Sequence, residues 1–338
     1  MQFYKIAVTA LIMALPLAAC TRAPAPAVTT PPQRLAAQTT PRPSSPADSG
    51  AAPTLPGRFT KGTEPRLKVY VVDTGAVENM PIEVYLQGVL AGEMKNDWPM
   101  EALKAQAIIA RTYTMKFIQE KGGSKYGGAD VSTDITEAQA YDAEGVNDRI
   151  KQAIEETRGE VIGYGGDFIY AWFHAHSGGI TAMAKEGLGY EKAEPPYIKS
   201  VQSADSPKAP AEAASWSESF PKAEILRACA DLGLNISSIT SAAIGSKGPS
   251  GRAEYIVFNG GVKAPAPAFR IALDSLRMRS TLLTGIAVEG DNVVISGKGY
   301  GHGVGMSQWG AYTMADGGKK AEDIIAYYFK DIGVYKLW

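Results

Sequence analysis

The spacing of hydrophobic positions changes several times along the chain, and each change predicts an element. Residues 6–17 form an apolar run behind Lys5, interrupted only by Thr9. That run has the size of a signal-peptide core and is too short to span a bilayer. Residues 21–57 hold almost no large apolar side chains and are rich in Pro, Ala, Thr and Ser, a composition that cannot bury enough surface to fold. Polar and apolar residues alternate over 66–73 (Arg-Leu-Lys-Val-Tyr-Val-Val-Asp), which predicts a strand. Val84, Leu86, Val89 and Leu90 predict a helix over 83–94. Asp97 is a candidate N-cap and Pro99 suits a first helical turn. Leu103, Ala107, Ala110, Thr114 and Phe117 then predict a long amphipathic helix over 100–121, ended by Gly122-Gly123.

Beyond it the pattern predicts a helix over 146–158 stopped by Gly159, and a hairpin in which 161–164 and 168–173 flank Gly165-Gly166-Asp167. Residues 190–290 read as a mixed α/β insertion in which 195–207 is loop. Its predicted helices are 221–234 and 267–276, its strands 239–244 and 253–259, and 285–296 holds two more. A last helix is expected over 310–329. The fold class is therefore α+β, with mixed helices and antiparallel strands around a substrate groove, and the folded part covers 58–338.

Residues 297–312 break every period. Five glycines (Gly297, Gly299, Gly301, Gly303, Gly305) alternate with other residues and lead into Met306-Ser307-Gln308-Trp309. A strand tolerates that many glycines poorly, and the usual reason to accept them is a backbone that approaches something closely or takes positive φ. The groups that follow suit a polar polymer such as a carbohydrate; a plain glycine-rich turn before a helix is the simpler alternative.

Charge and cysteine content narrow the classes. With 34 Lys and Arg against 35 Asp and Glu, the net charge is −1, so composition gives no support for a nucleic-acid partner. The two cysteines are Cys20 and Cys229, which leaves no thiolate zinc site, and Cys229 reads as a small buried apolar side chain. Leu17-Ala18-Ala19-Cys20 resembles a bacterial lipobox; the resemblance implies a lipid anchor on Cys20, with 1–20 as the signal peptide and 21–57 as a disordered tether. At roughly 3 Å per residue where extended, that tether would reach up to about 100 Å from a membrane. The expected location is the cell envelope, outside the cytoplasm.

Three segments concentrate reactive groups. Glu93 ends an apolar helix, where the macrodipole disfavours a carboxylate and partial burial raises its pKa. A carboxyl protonated near neutral pH is what a general acid needs; solvation, or pairing with Lys95 or Arg111, is the competing reading. Gln106 and Arg111 lie in an otherwise small and apolar helix, and Arg111 either orients Glu93 or binds substrate, or else snorkels from the core edge. His174, His176, Ser177 and Gly178 close a predicted strand, on which the two histidines share one face. With His302 they make a conceivable metal triad, but no accompanying ligand spacing supports it. A hydrogen-bonding role lining a cleft is the preferred reading, and no metal or cofactor is expected.

These segments together resemble the SpoIID/LytB family. The resemblance rests on Glu83-Val84-Tyr85-Leu86-Gln87-Gly88-Val89-Leu90-Ala91-Gly92-Glu93-Met94, Trp98-Pro99-Met100-Glu101-Ala102-Leu103-Lys104-Ala105-Gln106-Ala107 and Ala110-Arg111-Thr112-Tyr113. Gln139-Ala140-Tyr141, Thr157-Arg158-Gly159, Phe173-His174 with Ser177-Gly178-Gly179, Leu276-Arg277 with Arg279-Ser280-Thr281, and Gly301-His302-Gly303-Val304-Gly305-Met306-Ser307-Gln308 follow in family order over 66–338. It implies a lytic transglycosylase acting on peptidoglycan glycan strands, preferring strands stripped of stem peptides, with Glu93 as the catalytic acid. Other members of the family imply a different role, as enhancers of a wall amidase. Gln106, Arg111, His174, His176, Ser177, Gly178, His302, Ser307 and Gln308 are the candidate glycan contacts. Two departures stand out. Where some members carry a zinc site, 133–139 here has neither Cys nor His, and His176 replaces a residue that is usually small.

Overall fold

The computed structural model describes residues 50–338; the expected signal peptide, Cys20 and most of the tether lie outside the described residues. The chain runs β1 (Arg66–Val71), β2 (Ala76–Pro81), α1 (Ile82–Glu93), α2 (Met100–Lys121), β3 (Val131–Ser132), α3 (Asp148–Glu156), β4 (Glu160–Tyr164), β5 (Asp167–Phe168), β6 (Phe173–His174) and α4 (Ala184–Leu188). It continues through α5 (Ala211–Ala214), β7 (Ser215–Pro221), α6 (Lys222–Asp231), β8 (Ala242–Ile244), β9 (Tyr255–Phe258), β10 (Val262–Pro265), α7 (Ala266–Leu273), β11 (Leu283–Glu289) and β12 (Asn292–Lys298). Then come β13 (Met306–Ser307), α8 (Gln308–Asp316), α9 (Ala321–Tyr328) and β14 (Gly333–Lys336). Helices and mainly antiparallel small sheets make this an α+β fold. No helix among the described residues is long and apolar enough to cross a membrane.

α2 is the axis of the main core. Leu103, Ile108, Ile109 and Met115 are fully buried, and α1, α3, α8, α9 and β4 pack around the helix. Its N-cap is Pro99, extended at φ −52 and ψ 135, with no side-chain cap; Asp97 does not serve. Pro99 contributes its carbonyl instead, which accepts the Ala102 and Leu103 N–H groups at 3.0 and 3.2 Å, and it has no N–H of its own to satisfy. Gly122 closes the helix in the left-handed region at φ 71, as the sequence predicts.

A second core lies within Ser215 to Lys298, where β11-β12-β7 and β10-β9-β8 enclose Trp216, Phe220, Phe258, Phe269 and Ile295 with α6 and α7. Cys229 is buried in it. This unit delivers the glycine-rich segment: β12 pairs with β7 up to Lys298, and Trp216 Nε1 then donates to the Gly299 carbonyl at 3.1 Å.

Three expectations are corrected. The hairpin closes on Gly165-Gly166, but its second arm is only Asp167–Phe168. Phe173–His174 instead pairs in parallel with Met306–Ser307, and His176 lies past that strand, bridged to Tyr300. The helix expected over 310–329 is two helices, separated at Gly317-Gly318, where Gly318 takes φ +85. Ordered chain also begins before residue 58. The Thr54 N–H donates to the Gly166 carbonyl at 3.3 Å, and Tyr335 donates to the Gly50 carbonyl at 2.9 Å.

Candidate functional site

Glu93 is the last residue of α1, and its carboxyl is half-buried. Oε1 accepts the Ala140 N–H at 2.8 Å. That approach depends on Gly92, where a Cβ would stand 2.7 Å from Tyr141 N and 2.8 Å from Ala140 C. On the other side Gln308 Nε2 donates to the Glu93 carbonyl at 3.2 Å and to Oε2 at 3.5 Å. Among the described residues no cation pairs with Glu93. Burial pushes its pKa up to about 7, and the Ala140 and Gln308 bonds hold it from rising further. Tyr113 lies near enough for its own pKa to be raised by burial and then by the Glu93 charge.

Gln308 reaches Glu93 because Ser307 caps α8, accepting the Gly310 N–H at 3.2 Å. The strand before it is held by Met306 N–H donating to the Trp172 carbonyl at 3.1 Å. Gly305 is required there: at φ +72 its Cβ would lie 2.0 Å from that same oxygen. The glycine-rich segment thus delivers Gln308 directly onto the carboxyl.

The other candidates divide. His174 is buried, its Nδ1 lies 3.2 Å from the Val304 carbonyl, and Nε2 has no partner. The tautomer that donates from Nδ1 fits this geometry. His302 is half-buried beside it, with ring centroids 5.8 Å apart, and its Nδ1 accepts the Val304 N–H at 3.0 Å. Burial, then the charges of Arg270 and Arg252, push His302 down to about 3, and burial, then His302, lowers His174. Both rings are neutral at physiological pH.

His176 does not join them; its Nδ1 lies 3.2 Å from Asp205 Oδ2 and 3.0 Å from the Gly178 N–H. Among the described residues no group of three His, Cys, Asp or Glu side chains is arranged to hold a metal.

Ser177 and Ser307, read as glycan contacts, are held in an internal clamp, while the Gly178 N–H goes to His176 Nδ1. Asp205, whose side chain is 3% exposed, accepts the Ser177 N–H at 3.1 Å, the Ser177 hydroxyl and the Gly179 N–H at 3.3 Å through Oδ2, and the Ser307 hydroxyl through Oδ1. One carboxylate therefore ties the loop after His176 to the cap of α8. Arg252 grips the same loop, donating to the Ser177 carbonyl at 2.8 Å and the Ile180 carbonyl at 3.0 Å. Asp205 gave no signal in the sequence, because it sits in an irregular segment among small residues. Replacing it with alanine leaves buried donors unpaired, and we expect a loss of roughly 2–3 kcal/mol in urea denaturation.

Gln106 and Arg111 are both fully buried. Neither amide atom of Gln106 has a partner. Arg111 faces Glu83, not Glu93: Nε and Nη2 donate to the two carboxyl oxygens at 3.1 and 2.6 Å, and Nη1 donates to the Glu160 carbonyl at 3.0 Å. Glu83 also accepts from Gly159 N–H at 3.1 Å and Trp338 Nε1 at 2.9 Å. Arg111 neither snorkels nor touches the candidate site; complete bidentate pairing is what makes its burial tolerable.

The chain is thus an α+β protein built to present one half-buried carboxyl at a helix end, gripped by a backbone amide and by the glutamine of a glycine-rich segment. The sequence model described as "Stage II sporulation protein" (SpoIID) matches residues 70–164. Stage II sporulation protein D of Bacillus amyloliquefaciens is 32% identical over 297 residues, covering 82% of this chain and 83% of that protein. An uncharacterised protein of Brachyspira hyodysenteriae is 34% identical over 259 residues, covering 76% of this chain and 67% of its own. A Bacillus subtilis protein named amidase enhancer is 27% identical over 291 residues, 72% of this chain and 39% of that protein. The chain belongs to the SpoIID family.

Proposed function

We propose that this protein works on the cell wall as a lytic transglycosylase, cleaving peptidoglycan glycan strands to 1,6-anhydro-muramyl ends with Glu93 as both acid and base. The observation that carries this reading is the Glu93 carboxyl, which burial raises to about 7 so that its protonated form is populated near neutral pH, with two hydrogen-bond donors on it. In lytic cleavage the muramyl 6-hydroxyl attacks its own anomeric carbon, so neither an activated water nor an enzyme nucleophile is needed. Glu93 gives its proton to the glycosidic oxygen. The carboxylate left behind is stabilised by the Ala140 N–H and the Gln308 amide, and then takes the proton of the 6-hydroxyl. Hydrolytic glycosidases use a carboxylate pair, whereas the intramolecular route asks for one group only. The lipobox-like Cys20 fits the same reading, as a lipid anchor holding the protein in the envelope beside its substrate.

The pH dependence follows from the proton. Only the protonated carboxyl can start the reaction, so cleavage of peptide-stripped strands is expected to fall about tenfold per pH unit above about 7. Turbidity or product release measured across pH checks this; a rate that keeps rising through pH 9 would assign the acid role elsewhere. The relative named amidase enhancer motivates a second reading, in which the same surface binds glycan without cleaving it and promotes a wall amidase. Under that reading, strands incubated with the protein alone stay intact and a separate amidase is accelerated.

A further inference from the structure

A line of aromatic rings leads away from Glu93 and has no part in the chemistry above. It begins at Tyr113, beside Glu93. Tyr113, Lys116, Phe117 and Glu120 recur at helical spacing, so they share one face of α2. With Tyr170 and Trp172 they line a cleft of about 180 Å³, which adjoins a second cleft of about 520 Å³ through the shared Lys116, Glu120 and Tyr170. From Tyr113 to Glu120 the helix rises about 10 Å, room for a disaccharide unit.

The rings are held flat and partly open. Tyr170 and Trp172 stack at 4.8 Å with 6° between their planes, and Tyr190 meets both edge-on at 5.9 and 5.5 Å. The Tyr170 hydroxyl is fixed by Glu120 and Tyr190, and Lys116, 5.0 Å from the Tyr170 ring centroid, is tied to Asp167 at 2.8 Å. Tyr113, Phe117, Tyr170, Trp172 and Tyr190 are all half-buried. Phe117, Tyr170, Trp172 and Tyr190 pack against the main core on one side and stay partly open on the other, an apolar face with a wet rim that suits recognition.

We propose that this aromatic cleft is a glycan subsite, with the Trp172–Tyr170 stack carrying a sugar ring about one disaccharide from the bond at Glu93. A pyranose presents a C–H face to an aromatic plane and a rim of hydroxyls to side chains such as Lys116, Glu120 and Asp167. A phosphorylated ligand would instead meet the two carboxylates, and a partner helix would leave the charged rim unsatisfied. The choice of a wall glycan rests on the proposed function; the cleft and its fit to a sugar do not.

The test uses the full chain in a Glu93→Gln background, which prevents turnover, with Trp172→Ala and Trp172→Phe added separately. Calorimetry reads affinity for peptide-free wall disaccharide, tetrasaccharide and hexasaccharide. Trp172→Ala is expected to weaken tetrasaccharide and hexasaccharide binding about tenfold, the order of one lost aromatic stack with its buried area. Disaccharide affinity stays unchanged, the variant remains folded at the assay temperature, and Trp172→Phe restores most of the loss. Undiminished binding of the long strands, an equal loss for the disaccharide, or a loss confined to peptide-bearing strands or to an amidase would overturn the subsite. Failure of the subsite is separable from failure of the chemistry. If the wild-type protein forms no anhydro ends yet Trp172→Ala shows the length-dependent loss, the subsite stands without catalysis. If the wild-type protein cleaves and Trp172→Ala binds every length normally, the subsite falls and catalysis stands.

Discussion

Glutamine in place of Glu93 is expected to lower strand cleavage by roughly a thousandfold, within the usual range for loss of a positioned acid–base group. The amide oxygen can still accept the Ala140 N–H, so the geometry survives and only the transferable proton is lost. Stability moves the opposite way, which separates this result from simple unfolding. In the folded protein burial raises the carboxyl from 4.5 to about 7, so the native state binds the proton more tightly than the unfolded chain. Wild-type stability is therefore highest below about 4.5 and falls as pH rises through about 7, by up to roughly 3 kcal/mol. The glutamine variant lacks that titration. In urea denaturation it should match the wild type at pH 5 and exceed it at pH 8. A variant both inactive and less stable at pH 8 would mean that Glu93 is a structural carboxylate.

Arginine 111 to alanine is expected to cost about 3–5 kcal/mol, the largest single loss in the molecule outside disruption of the cores. The substitution leaves Glu83, itself 3% exposed, with a buried charge facing only the Gly159 N–H and the Trp338 indole. It also frees the Glu160 carbonyl and opens a cavity in α2. The paired replacement of Glu83 by glutamine and Arg111 by methionine should recover much of the loss, since no unpaired charge then remains buried. Denaturation midpoints of the two variants check this. Activity lost by Arg111→Ala with unchanged stability would instead return Arg111 to the side of the substrate.

The contrast between these two residues shows what local pattern carries. The helix that ends at Glu93, the long helix after it and the special backbone of 297–305 are written in periodicity and in glycine, which act within a few residues. Glu93 was legible for the same reason, a carboxyl at the end of an apolar helix. Arg111 was misplaced because its partner lies 28 positions earlier, on the preceding helix, and spacing alone does not say which of two carboxylates it meets. Asp205 was invisible: its value comes from donors at Ser177, Gly179 and Ser307 that only the fold brings together. The short arm after Gly166 failed for a related reason, since the parallel pairing of Phe173–His174 with Met306–Ser307 overrides the local hairpin signal. Ser177 and Ser307 stood out in the sequence for their glycine-flanked setting, and the structure ties both hydroxyls to Asp205.

If the Glu93 carboxyl drives intramolecular cleavage, the new chain ends record it directly. Peptide-stripped glycan strands incubated with the full-length protein and analysed by mass spectrometry should yield muramyl termini one water lighter than reducing ends, with none formed by Glu93→Gln. Reducing muramyl ends, or anhydro ends formed undiminished by the glutamine variant, would contradict it.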